Sequence, residues 1–309
     1  MLAHSAPMSD AFILLPDLTL ILCGLAICRF TPLNRPLWEG VERLVYYVLF
    51  PCLLFSSILK NPLSPAAVLP LAGSGLTLVL TGIVLSNALG WWPGVDARLH
   101  ASGAQTAFRF NSYVLLALAE RLAGMQGVTW AALLLSVCVP LCNVGAVWPL
   151  ARHGGHGYLR EIVRNPLIVA TAAGLAGNVF GLHLPALASL TLGRIGAAAL
   201  PLGLMAVGAG LQFGALKKAP VLAAAFMGIR HLLLPALGIT LALLLKMPPQ
   251  QQAVLVAFAA LPTASSCYVL AARMGGDGGF VAGLVTLSTV IGMLGLPLAL
   301  LAWSALQGR

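Results

Sequence analysis

Long apolar runs alternate with short polar connections along this chain, and the length of the runs decides the first reading. About 20 predominantly apolar residues cross the hydrocarbon core of a bilayer as a helix. Ten such runs can be drawn, near 12–29, 41–60, 66–90, 104–123, 129–150, 164–182, 196–214, 220–246, 250–272 and 280–305. Breakers stand between them, among them Pro32, Pro36, Pro93, Gly154-Gly155 and Pro248-Pro249. Two runs are flawed inside. Arg109, Asn111, Ser112 and Tyr113 interrupt the fourth, and Pro262, Thr263, Ser265 and Ser266 interrupt the ninth just before Tyr268. Proline removes a backbone donor and clashes with the preceding turn, while Asn and Ser compete for backbone groups. A polar break at membrane depth, present twice, predicts paired discontinuous helices around a substrate site.

The breaks also align with each other. At an offset of 155, Ser112-Tyr113-Val114-Leu115 meets Cys267-Tyr268-Val269-Leu270, and Asn111 meets Ser266. At 150, Pro16, Gly24-Leu25-Ala26, Phe30 and Pro51 meet Pro166, Gly174-Leu175-Ala176, Phe180 and Pro201. At 148, Pro149 meets Pro297. Matches in one order at nearly one offset predict two repeats, 1–152 and 153–309. With five runs each, an odd number, the second repeat must be inverted in the membrane, an arrangement associated with alternating access.

Composition agrees with this pattern. Hydrophobic residues make up 60% of the chain and charged ones 8%, with a mean hydropathy of +0.96. Soluble domains carry about 25% charged residues, so the reading is an all-α, multi-pass membrane protein whose partner is the bilayer. The net charge of +9 is scattered over short loops rather than gathered on a face, which excludes nucleic acid. Placed with the N-terminus outside, the inner loops collect Arg29, Arg35, Arg43, Arg98, Arg109, Arg152, Arg160, Arg164, Lys217, Lys218 and Arg273. The outer side collects Lys60, Arg121, Arg194, Lys246 and Arg309. Both termini are therefore expected outside. Trp38, Trp91, Trp92, Trp130, Trp148 and Trp303 lie towards run ends, where interfacial anchors belong. The six cysteines lack metal-ligand spacing. No zinc-protease, nucleophile-elbow or nucleotide-loop motif occurs, so neither an enzyme nor a cofactor or metal site is expected.

Val45-Tyr46-Tyr47-Val48-Leu49-Phe50-Pro51, Phe108-Arg109-Phe110-Asn111-Ser112-Tyr113, Asn165-Pro166-Leu167-Ile168, Leu261-Pro262-Thr263-Ala264 and Gly275-Gly276-Asp277 resemble the auxin efflux carrier family of secondary transporters, in its bacterial branch. The resemblance spans essentially the whole chain. It implies ten transmembrane helices related to bile acid–sodium symporters, with helices 4 and 9 unwound and crossing, and with Asn111 and Pro262 marking the crossover. It further implies a bacterial inner-membrane carrier of a small carboxylate such as malonate or malate, and it allows for a homodimer. Plant relatives lack the Arg-Phe-Asn context, so auxin is not carried over.

At such breaks each following half-helix presents free N–H groups and a partial positive charge of roughly half an electron, which suits a small anion. The expected binding residues are Arg109, Asn111, Ser112, Tyr113, Asn143, Pro262, Thr263, Ser265, Ser266 and Tyr268, with no permanently buried cation required. Plainer roles compete with these. Asn111 could only bridge helices, Pro262 only kink one, Tyr113 and Tyr268 only pack, and Arg109, about five residues inside its run, could snorkel to the inner interface. Arg230-His231 read as lying near a span start at about Met227, and Glu42-Arg43 as interfacial. Coupling to protons or, less readily, to sodium stays open, as do an ion channel and a membrane-embedded sensor or enzyme.

Overall fold

Proline and glycine punctuate the helices of the computed structural model, which describes residues 15–60, 65–151, 166–211 and 218–307. The elements are α1 (Leu15–Phe30), α2 (Arg35–Lys60), α3 (Pro65–Ala88), α4 (Ala97–Gly103), α5 (Ser112–Ala151), α6 (Pro166–Val179), α7 (Ala186–Ala209), α8 (Pro220–Leu244), α9 (Pro249–Ala260), α10 (Ser266–Arg273) and α11 (Gly278–Leu306). Among the described residues the extended backbone pairing is confined to one isolated bridge, Phe110 with Thr263. Six helices are long and apolar enough to cross a membrane, and the apolar parts of α1 and α6 are shorter. The protein is a multi-pass membrane protein.

Several expected boundaries move. The fourth run begins at Ala97 rather than 104, because Asp96 caps α4 by accepting from Leu99 N–H at 2.8 Å. The charged Asp96–Arg98 stretch had masked that turn in the hydropathy. The seventh begins at Ala186 rather than 196 and ends at Ala209, Arg194 having hidden its first turns. The fourth and fifth runs stay two helical segments, as expected, joined within α5 at the non-helical Ala123 and Gly124, where Gly124 has φ +57°. That is the left-handed region, which glycine enters without a Cβ clash. Trp38 and Trp130 are buried rather than interfacial, Trp38 donating to Leu33 O at 3.0 Å. Trp91 and Trp92 are exposed as expected. The side chains of Asp17 and Trp148 and the 152–165 connection lie outside the described residues.

Packing sorts the helices into two bundles. α1 packs most heavily on the second half of α7, and α2 on α6 and the first half of α7. The other bundle joins α3 to α5, α8 to α9, α9 to α5, and α10 to α11. Backbone-to-backbone approach explains the tightness of the first bundle. A Cβ on Gly24 would collide with the carbonyl of Met205, and one on Gly208 with that of Ile21, so α1 and α7 touch main chain to main chain. α2 and α6 repeat the arrangement, since a Cβ on Gly174 would lie 3.1 Å from Ile58 Cβ and 3.3 Å from Phe55 O. Gly24 and Gly174, Phe55 and Met205, Ile58 and Gly208 are each 150 residues apart, the separation at which the sequence matches itself.

The bundles meet where α5 faces α2, α6 and α7. Ser57 and Thr129 hydroxyls lie 2.8 Å apart across this boundary, with Ser57 also donating to Met125 O at 3.0 Å. At one end of the molecule, Lys218 pairs with Asp277, Arg98 donates to Gly276 O at 3.3 Å, and Asp277 N–H donates to Ser102 Oγ at 2.8 Å. These connections all belong to the set that the basic-residue pattern assigns to the inner face.

Candidate functional site

Both flawed runs lose their helix where the sequence places the polar residues, and the two interruptions touch. Asn111 N–H donates to Pro262 O at 2.9 Å and Ala264 N–H donates to Arg109 O at 3.3 Å, forming the antiparallel Phe110–Thr263 bridge. Each unwound segment thus satisfies part of the other's backbone, which an apolar interior demands. The two-residue period of an extended pair puts Phe110 and Thr263 on one face of the bridge and Arg109, Asn111, Pro262 and Ala264 on the other.

The first face is structural. Phe110 packs edge-on against Phe258 with ring centroids 4.6 Å apart. Thr263 donates from Oγ1 to Thr106 O at 2.6 Å, and its N–H donates to Ser288 Oγ at 2.9 Å, which in turn lies 2.8 Å from His231 Nε2. Thr263, expected to bind substrate, is wholly buried and occupied by these bonds. Arg230 is also here and corrects the reading of a cation near a span start. α8 begins at Pro220, ten residues earlier, and Arg230 is 2% exposed. Its Nε donates to Leu261 O at 2.6 Å and its Nη2 to Phe258 O at 3.4 Å. The break frees those carbonyls at the C-terminal end of α9, where the helix dipole favours a cation. A buried cation therefore lies beside the break, and it serves the carbonyl end of a half-helix.

The second face carries the polar groups. Arg109 lies twelve residues beyond the start of α4, at the break and not within snorkelling distance of an end. Its Nη1 donates to Gln105 Oε1 at 3.0 Å, and its Nη2 to Ser266 Oγ at 3.2 Å and Asn143 Oδ1 at 3.4 Å. One guanidinium so joins both breaks and α5. Among the described residues no carboxylate pairs with it. Ser266 opens α10 and is exposed; Asn143, Arg109 and Ser265 are half-buried. Gln105, not singled out from the sequence, is buried and donates to Ser102 O and Cys267 O at 3.2 and 3.1 Å. Its position four residues before Arg109, one helical turn, is the signal that would have found it.

Asn111 is 3% exposed and uses its two amide atoms differently. Oδ1 accepts from Tyr113 N–H at 3.0 Å and Val114 N–H at 3.3 Å, capping the half-helix that begins α5. Nδ2 is shut from water without a hydrogen-bond partner. Because the backbone donors fix Oδ1, that NH2 group is a buried donor awaiting an acceptor. Ser112 opens α5 and is half-buried. Tyr113 packs on Phe50 of the first bundle, ring centroids 5.0 Å apart, and Tyr268 receives a hydrogen bond from Arg35 Nη2 at 3.2 Å.

A small apolar cleft lies beside Pro262 between the bundles. Ile21 and Leu204 line it from the first bundle, and Val114, Ala117, Leu118, Thr289, Gly292 and Leu296 from the second. Pro262 closes it by packing on Gly292, where an added Cβ would lie 3.1 Å from the proline Cβ.

No curated protein matches the chain. A family model described as membrane transport protein matches residues 152–300, the second half, which contains Arg230, the Pro262 break and α10. Over those residues, just under half of the chain, the protein is similar to the membrane transport protein family.

Proposed function

We propose that this transporter is a secondary carrier of a small organic anion, held at the paired breaks while the two bundles alternate its access to the two sides. The observation that carries the reading is the donor set on one face of the bridge. Among the described residues, Arg109 supplies a guanidinium with no carboxylate partner, Asn111 an unpaired Nδ2, and Ser266 a hydroxyl at the start of α10. The starts of α5 and α10 add roughly half a positive charge each. A desolvated carboxylate there satisfies donors that are otherwise left over, and the cleft beside Pro262 offers apolar contacts to a short carbon skeleton.

The division into bundles supports the motion. The second bundle contains both breaks and meets the first across Tyr113, the cleft and Ser57–Thr129, so it can move as a unit while the bridge stays intact. A five-plus-five inverted repeat would make the two end states near mirror images of each other. A permanently open channel is disfavoured by the hydrogen-bonded bridge and the apolar cleft. We place the protein in a bacterial inner membrane with both termini outside, and a homodimer is compatible with the exposed apolar faces of α1 and α6.

Counterflow of labelled malonate in proteoliposomes tests the function. Exchange by wild type that falls at least tenfold in Arg109→Gln supports it. Consumption of malonate by the protein in detergent, where transport is impossible, or exchange that ignores Arg109, overturns it.

A further inference from the structure

Away from the bridge, a second polar cluster spans the boundary between the bundles. Arg35, at the start of α2, lies 2.9 Å from Glu42 Oε1 through Nη1 and 3.7 Å from Glu39 Oε1 through Nε, and its Nη2 reaches Tyr268 of α10 at 3.2 Å. Both Arg35 and Glu42 side chains are about three-quarters buried, whereas Glu39 is half exposed. The close approach of Arg35 to Glu42 is not a well-directed hydrogen bond, for Nε and Nη1 of Arg35 and Oε1 of Glu42 are shut from water without one. Two carboxylates therefore share one guanidinium, and the inner of them is incompletely satisfied.

We propose that Glu42 is a proton-binding site that couples proton movement to the relative motion of the bundles. The proposal rests on the carrier reading above and deepens it by naming the coupling ion. With both glutamates ionised the cluster carries one surplus negative charge in a partly desolvated place, which is costly. One proton delivered by hydronium cancels that charge, with an O–H bond formed on a Glu42 oxygen as the hydronium O–H bond breaks and water leaves. Arg35 then keeps only Glu39 as an ionic partner. Glu39 lies on the exposed side, so the guanidinium swings outward and releases Tyr268. Ionised Glu42 latches α10 to α2, and protonated Glu42 unlatches it.

The surroundings permit this. On α2 the neighbouring groups are Arg35, Glu39, the exposed Arg43 and Tyr46; α5 contributes Tyr113 and α10 Tyr268. α1, packed against Trp38, contributes Cys28, with Arg29 exposed. The facing half of α7, Ala199–Ala209, has no charged side chain, so no second cation competes for Glu42 from there.

An infrared titration of the purified protein in nanodiscs requires no substrate. Acidifying from neutral to mildly acidic pH is expected to raise a protonated-carboxyl band that Glu42→Gln removes and Glu39→Gln leaves in place. Glu42→Asp, which keeps a carboxyl, should move the band and guards against misfolding of the glutamine variant. In proteoliposomes, wild type should accumulate labelled malonate under an imposed pH gradient. Glu42→Gln should still exchange malonate across the membrane but lose at least tenfold of the gradient-driven accumulation. A titrating band indifferent to Glu42, no titrating band at all, or equal accumulation by both proteins overturns the proposal. If wild type does not exchange malonate, the carrier reading for that substrate fails, and the infrared result alone decides Glu42.

Discussion

Asn111 caps a helix with one amide atom and, in the proposed carrier, binds the anion with the other. Its Oδ1 caps a half-helix while its Nδ2 waits, buried, for an acceptor. Substitutions separate these roles. Asn111→Ala removes the cap and should destabilise the protein by about 1 kcal/mol, within the usual range for such caps. Asn111→Asp keeps a capping oxygen, so its melting temperature should stay near wild type, while anion binding is lost because an oxygen replaces the donor. Equal binding by Asn111→Asp and wild type would remove Nδ2 from the site.

Asp277 gives a second test at this scale. The connection between α10 and α11 holds its carboxyl below the ordinary value, chiefly through the hydrogen bond from Lys218 and then that from Phe280 N–H. A lowered folded pKa means stability that is present above the unfolded value, about 3.9, and is lost as pH falls through the folded one. Thermal melts should therefore lose stability below about pH 4 by a component that Asp277→Asn lacks. Asp277→Asn melts that keep this acid component would contradict the pairing.

Among elements, the breaks were the most legible feature. Proline and adjacent small polar residues within apolar runs leave few alternatives to unwinding, and Asn111 and Pro262 stand within the unwound segments themselves. The starts of α4 and α7 were not legible, since Asp96, which caps α4, and Arg98 and Arg194, through which the helices continue, lower the local hydropathy. Arg230 was misread for a related reason. A charge ten residues inside α8 has no sequence signal for its partners, which are carbonyls freed by a break 31 residues away. The α1–α7 contact makes its own prediction. Gly24→Val or Gly208→Val places side-chain atoms where the facing backbone lies, so α1 and α7 must separate. Loss of folded protein on size-exclusion chromatography is expected for either. Gly73, with open space around its missing Cβ, should tolerate alanine with little change.

On the scale of the whole molecule, two bundles meet along one boundary, and the proposed mechanism requires that boundary to shift. Ser57 and Thr129 face each other across it with hydroxyls 2.8 Å apart, near enough for paired cysteines after modest adjustment. In a background without the native cysteines, oxidised Ser57→Cys/Thr129→Cys protein should still bind malonate but exchange it at least tenfold more slowly, with recovery on reduction. Full exchange while the crosslink is intact would rule out relative movement of the bundles there.

The claim on which the rest depends is that an anion occupies the polar face of the bridge. Thermal stabilisation of purified protein by malonate and a panel of small carboxylates, compared with Arg109→Gln, measures it most directly. A ligand at a hundredfold excess over its dissociation constant stabilises by about 2.7 kcal/mol. The account predicts that at least one carboxylate raises the melting temperature of wild type and leaves that of Arg109→Gln unchanged. Equal shifts in both proteins, or no shift of wild type by any acid in the panel, would contradict it.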